Sequence, residues 1–205
     1  MFPCREDLND QHLVQIVDAG LSDAARRSGA WLACRPGCTQ CCNGTFAINQ
    51  LDAQRLRLGL SNLEVHDPAR AIRVRARGAE SIARLSADFP GHLKTGILHE
   101  TEDAQKKFED FGNEETCPLL DPDSGLCDLY AARPMTCRIF GPPVRSGEEN
   151  GLGVCELCYR GASAEQIASC EMVVDPANIE NVLLEKLEKL TGLHGKTIVA
   201  FCLQP

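Results

Sequence analysis

Apolar residues recur at helical intervals along the first half of the chain. Leu8, Leu13, Ile16, Val17, Leu21 and Ala25 share one face of a stretch that ends before Gly29 and predict an amphipathic helix over 6–28. Leu51, Leu56, Leu58 and Leu60, with Arg55 among them, predict a second helix over 49–60, with Asn49 as its cap and Gly59 near its end. A third is expected from Asp67 to Asp88, with Pro68 in its first turn and Ile72, Ala76, Ala79, Ala83 and Phe89 on the packed side. Short helices follow over 102–110 and 164–170. Asp175-Pro176 opens a core helix over 176–191, with Ile179, Leu183, Leu187 and Leu190 on one stripe and Gly192 as its stop. The apolar run from Thr197 to Leu203 reads as a buried strand or tail.

The stretch between Thr116 and Cys158 breaks this pattern. Pro118, Pro122, Gly125, Pro134, Gly141, Pro142, Pro143, Gly147, Gly151 and Gly153 leave no room for long regular elements. Such a segment needs another source of order, and bound metal can supply it. The expected fold is therefore mainly α, with helices packed around irregular cysteine-rich loops and little or no β-sheet. It is expected to be a single domain over 1–205, with a metal-binding core at 34–158 between flanking helices 6–28 and 176–191.

Charge narrows the choice of partner. A net charge of −8 from 21 basic and 29 acidic side chains disfavours nucleic acid. Arg70, Arg73, Arg77 and Arg84 recur on one helical face, which reads as a solvated surface given that acidic total. No apolar stretch reaches the length of a membrane span, so no membrane partner is expected. The start Met1-Phe2-Pro3-Cys4-Arg5-Glu6-Asp7 turns acidic at once, with no apolar export segment, and reads as a cytoplasmic, reducing location. There, 12 cysteines are an oxidation hazard unless metal occupies most of them.

The cysteines fall into groups with metal-ligand spacing. Cys34-Arg35-Pro36-Gly37-Cys38-Thr39-Gln40-Cys41-Cys42 places a tight Pro-Gly turn where thiolates can converge. Adjacent Cys41 and Cys42 are expected to point apart, and so to serve two metals or two corners of one polynuclear cluster. Further ligands are on offer at Cys117, Cys127 and Cys137, spaced by ten, and at the knuckle Cys155-x-x-Cys158. These candidates suffice for two tetrahedral zinc ions, or for an iron-sulfur cluster with a second centre. A zinc ion with four thiolates carries about two negative charges, so nearby cations matter. Arg133 and Arg138 are candidates for hydrogen-bonding the sulfurs, with Arg35 and Arg145 in reserve. Tyr130 and Phe140 are placed to wall off the metal, and Trp31 to pack beneath the first loop.

Cys34 to Cys42, then Cys117-Pro118-Leu119-Leu120, then Cys127-x-x-Tyr130-x-x-Arg133-Pro134-x-x-Cys137-Arg138-x-Phe140, resemble the YkgJ-type cysteine-cluster proteins. Those are described as zinc- or iron-chelating and are related to flagellin lysine N-methylase. The resemblance covers roughly Cys34 to Cys158. It implies a metal-ion partner, zinc or iron, held by the nine cysteines of these groups, with an iron-sulfur cluster among the options. A metal- or iron-sulfur-dependent enzyme is the alternative it raises, a protein-lysine methylase relative for example. Gly151-Leu152-Gly153 lacks the third glycine of a nucleotide loop, which argues against that reading. Cys4, Cys170 and Cys202 stand apart and read as small buried hydrophobes, Cys170 being the best reserve ligand. His12, His66, His92, His99 and His194 show no ligand spacing.

Overall fold

The computed structural model describes residues 9–146 and 151–204, so Cys4 and the expected beginning of the first helix at 6–8 lie outside the described residues. In chain order the helices are α1 (Asp10–Ser28), α2 (Gln50–His66), α3 (Pro68–Leu85), α4 (Glu102–Glu109), α5 (Met135–Ile139), α6 (Ala164–Ser169), α7 (Ile179–Thr191) and α8 (Val199–Cys202). Strands β1 (Gly91–His92) and β2 (Ile97–Leu98) pair antiparallel, as do β3 (Val144–Ser146) and β4 (Gly151–Gly153). The fold is mainly α with two small hairpins, as the hydrophobic pattern requires. Contacts divide the chain into two compact units. One is made of Met1–Pro36 and Met135–Lys186, the other of Gly37–Pro134 and Leu187–Pro205.

In the first unit, Asn9 caps α1 by accepting the His12 amide at 2.9 Å. Leu13, Val17 and Ala24 form the buried stripe of this helix. The short helix α5 lies against it, and Arg138, 1% exposed, sends Nη1 to both carboxylate oxygens of Asp18 at 2.9 Å. Val144 of the β3–β4 hairpin bridges Met172, and Arg145 grips Glu171 through two nitrogens. Helix α6 opens on a reciprocal cap between Ser163 and Gln166.

The expected helix 176–191 starts later, at Ile179, because Asn178 sits at φ +54, outside the helical region. Its stripe is core only at the start. Ile179 and Leu183 are buried, whereas Leu190 is 76% exposed.

In the second unit, Asp67 ends α2 and caps α3, accepting the Arg70 amide at 3.0 Å. Asn49 caps α2 as expected, but the helix continues past Gly59 to His66. Gly59 is there for packing: a Cβ would stand 2.4 Å from that of Ala132 in the turn Tyr130–Ala132. The packed face of α3 also differs from expectation. Ala71, Val74, Gly78, Ser81 and Leu85 are buried, and Ile72 is 68% exposed. Counting apolar residues alone misses this stripe, because Gly78 and Ser81 are chosen for size. A Cβ at Gly78 would press on Leu203 at 3.0 Å.

The terminal apolar run is a helix rather than a strand or tail. Thr197 exchanges two backbone bonds with Ile48, and α8 then buries Val199, Ala200 and Cys202. Leu56 and Leu60 of α2, each at most 1% exposed, join them in the core. Each contributes about 2 kcal/mol. A second cluster joins Phe89 to Phe111 in a T-shaped contact and to Phe201 at a tilt.

Candidate metal centre

The expected turn forms at Pro36-Gly37, with Gly37, the first residue of the second unit, at φ +84, and in that unit the turn Gln40–Cys42 follows, closed by the Cys42 amide on Thr39 O at 2.8 Å. The expectation that Cys41 and Cys42 point apart is overturned here. Successive side chains alternate faces on a strand, but in a helix of three residues per turn they stand about 120° apart. The Cys42 thiol is thereby hydrogen-bonded to the Cys41 sulfur. That bond, with the positive charge of Arg133, holds the Cys41 thiol down at about 6 against burial, and the same bond together with burial raises Cys42.

Backbone pairing gathers more thiols around this turn. The Cys117 amide donates to Cys42 O at 2.7 Å, Asn43 bridges Thr116, and Leu120 bridges Cys127. Charge on Cys41, Cys117 or Cys127 disfavours a charged Cys42, so the sulfurs are electrostatic neighbours. Burial pushes Cys117 up to about 12 and raises Cys127 as well. Arg133 opposes this at Cys41 and Cys127. It is 8% exposed, with its guanidinium carbon 4.0 Å above the ring of Tyr130. Tyr130 is itself 63% exposed and meets Arg133 rather than closing over the sulfurs. Cys38 is half-buried in the loop after Gly37.

The segment 117–128 is pinned from a side that sequence reasoning missed. Asp128, its side chain 2% exposed, is bonded by both Arg70 and Arg77, and Arg77 Nε also donates to Pro118 O at 2.9 Å. Arg70 and Arg77 are thus a clamp, whereas Arg73 stays exposed as expected and Arg84 pairs with Glu115 at the surface. The signal was the spacing of Arg70 and Arg77, seven residues apart and so on one helix face.

In the first unit, Cys155 and Cys158 flank a turn closed by the Cys158 amide on Cys155 O at 2.8 Å. Cys158 Sγ accepts the Ala33 amide at 3.4 Å, and Tyr159, at φ +55, donates its amide to Trp31 O at 2.8 Å. Trp31 therefore packs against this knuckle. Cys34 Sγ lies where only glycine is admitted opposite: a Cβ at Gly141, φ +121, would stand 2.7 Å from it. Cys137 is on α5 of the same unit, beside Arg138, whose guanidinium pairs with Asp18. Phe140 is 43% exposed.

Among the described cysteines none is joined in a disulfide. Among the described residues no three Cys, His, Asp or Glu side chains are already posed as a coordination shell. No described helix is long and apolar enough to cross a membrane.

Helices carrying thiol-rich loops, with amides and an arginine turned toward the sulfurs, define a chelating domain of the soft-donor class. The chain belongs to the CxxCxxCC family, described as a "putative zinc- or iron-chelating domain", whose model matches residues 33–158. Its first cluster has one residue more than the family's name spells, Arg35-Pro36-Gly37 standing between Cys34 and Cys38. The division between the two units falls within that insertion. No curated protein and no solved structure matches the chain.

Proposed function

We propose that the protein chelates zinc or iron through thiolates in a reducing, cytoplasmic setting, with each unit supplying its own donors. Cys38, Cys41, Cys42, Cys117 and Cys127 serve the second unit, and Cys34, Cys137, Cys155 and Cys158 the first. The observation that carries this is the backbone bond from Cys117 to Cys42, which brings two sequence-distant thiol groups together inside one unit. The donor chemistry fits the metals: sulfur ligands suit zinc and iron-sulfur clusters, and thiolates need nearby cations and amide donors. Arg133 beside Cys41 and Cys127, and the Ala33 amide on Cys158, answer that need. The proton shared by Cys41 and Cys42 is one that a metal would displace, and the thiols would close on the ion as it binds.

Anaerobic purification followed by elemental analysis, visible absorption and acid-labile sulfide tests this reading. A colourless protein with zinc supports tetrahedral thiolate sites, and a brown, sulfide-containing one supports an iron-sulfur centre in the same residues. A reduced, folded protein that retains neither metal, and takes up neither on reconstitution, overturns it.

A further inference from the structure

We propose that Cys170, which lies beyond the stretch matched by the family, is a fourth thiolate of the first unit's centre, together with Cys34, Cys155 and Cys158. This rests on the chelation reading above and puts Cys170 in the place which that reading gave to Cys137. Cys170 is 3% exposed and sits in one packed cluster with Cys155, Cys158 and Tyr159, with the Trp31–Ala33 segment that leads into Cys34 against it. Helix α6 delivers it: the Cys170 amide bonds Ile167 O at 3.0 Å, ending the helix inside that cluster. Arg27 then fixes the exit by donating to the carbonyls of Ser169 and Glu171 on either side.

The surroundings are those of a ligand rather than of a filler. Polar atoms meet these sulfurs in an otherwise apolar cluster. The Ala33 amide donates to Cys158, while beside Cys170 the Ser169 hydroxyl gives its proton to Gln166 O and the Tyr159 hydroxyl gives its proton to Ser28, so that the Ser169 oxygen, 3.8 Å from Cys170 Sγ, and the neighbouring Tyr159 oxygen are left as acceptors for the thiol. A buried hydrophobic cysteine needs no such polar neighbours, and the Cys170 proton they accept is the one that a metal would displace. Cys202 shows the contrast: it is 1% exposed among aliphatic side chains, and its sulfur turns to a backbone carbonyl of its own helix turn. Tyr159, packed in the same cluster, holds a positive φ of +55, a conformation that costs a non-glycine residue of order 1 kcal/mol or more.

Cobalt(II) titration of the reduced, metal-free full chain under anaerobic conditions tests the assignment, read by sulfur-to-cobalt charge transfer. Cys170→Ser is expected to lower total charge-transfer intensity by about one-eighth or more, one thiolate among eight on two ions. It should also weaken one class of sites by at least about tenfold. Cys170→His, which can still coordinate, should restore the stoichiometry with shifted ligand-field bands, and does so even if the serine variant folds poorly. Cys202→Ser should match the unmodified protein. Wild-type intensity and affinity in Cys170→Ser overturn the proposal, as does loss of that intensity in Cys137→Ser but not in Cys170→Ser. Failure of the underlying reading looks different: Cys155→Ser and Cys41→Ser would then also bind cobalt as the unmodified protein does.

Discussion

In the first unit three thiols are themselves core, while Cys34 is exposed and Cys137 half-buried. Cys155, Cys158 and Cys170 are 5%, 4% and 3% exposed and form with Tyr159 the buried centre of a cluster whose aliphatic members, Leu32, Leu157 and Ile167 among them, are only partly buried. In the second unit Cys41, Cys42, Cys117 and Cys127 are only half-buried, and Cys117 and Cys127 lean on a core that α2, α3 and α8 build without them. The same donor chemistry is thus set in two energetic contexts. Where sulfurs replace leucines, the metal would supply the folding energy. Where they flank a finished core, the fold would stand and the metal could come and go.

Metal removal offers the harshest way to break that contrast. Structural zinc-thiolate sites contribute on the order of 10 kcal/mol to folding, so stripping the metal with a chelator should open residues 151–186 first. Hydrogen exchange should speed up there by about a hundredfold or more, while amides of α2 and α3 keep their protection. Equal loss of protection in both units would end the distinction.

Asp128→Asn attacks the second unit from the other direction. The carboxylate bridges Arg70 and Arg77 from a nearly dry position, and its removal leaves two guanidiniums facing a neutral amide. Because both arginines keep some solvent, the cost should fall at the low end for a broken buried pair, about 3 kcal/mol. Urea denaturation followed by helical signal measures it. A loss below about 0.5 kcal/mol would mean that the clamp on 117–128 is ordinary surface pairing.

These contexts were only partly legible in the amino-acid sequence. The helices announced themselves through caps and period: Asn49, Asp67 and the stop at Gly29 lie where their chemistry predicts. What escaped was packing by small residues, as at Gly78 and Ser81, since a stripe counted in apolar side chains cannot register a site chosen for close approach. The candidate sulfurs could be named because their spacing is unusual. Their grouping could not, because it depends on non-local pairing such as Cys117 with Cys42, and on whether an adjacent pair sits on a strand or a turn. Asp128 and its two arginines were hidden for the same reason: a charge on a helix face looks solvated until its partner arrives from elsewhere in the chain.

Gly141→Ala sharpens the comparison within the first unit at smaller cost. The new methyl would stand 2.7 Å from Cys34 Sγ on a backbone at φ +121, so strain and displacement of the thiol arrive together. A loss of about 1–3 kcal/mol is expected, along with weaker metal retention in the first unit only. Elemental analysis after mild chelation reads the second effect. Retention equal to that of the unmodified chain would separate Cys34 from the site.

The smallest effect is a titration. In metal-free protein the Cys41 thiol is held at about 6 by the Cys42 hydrogen bond, against the raising effect of burial and with help from Arg133, while Cys117 is pushed up to about 12 by burial. Alkylation by iodoacetamide should therefore select Cys41, with a rate that rises to half its maximum near pH 6, because the thiolate is the nucleophile. The sign for stability follows. A thiol whose folded value lies below its unfolded value of about 8.5 stabilises the fold fully above that unfolded value, and the contribution is lost as pH falls toward 6. Cys42→Ala removes the donor, so the midpoint should move up toward the ordinary thiol range and the pH dependence between 6 and 9 should flatten. Peptide mapping of the alkylated site across that range decides the matter: a midpoint that stays near 6 in Cys42→Ala would shift the credit from the neighbouring thiol to the backbone amide hydrogen bond and Arg133.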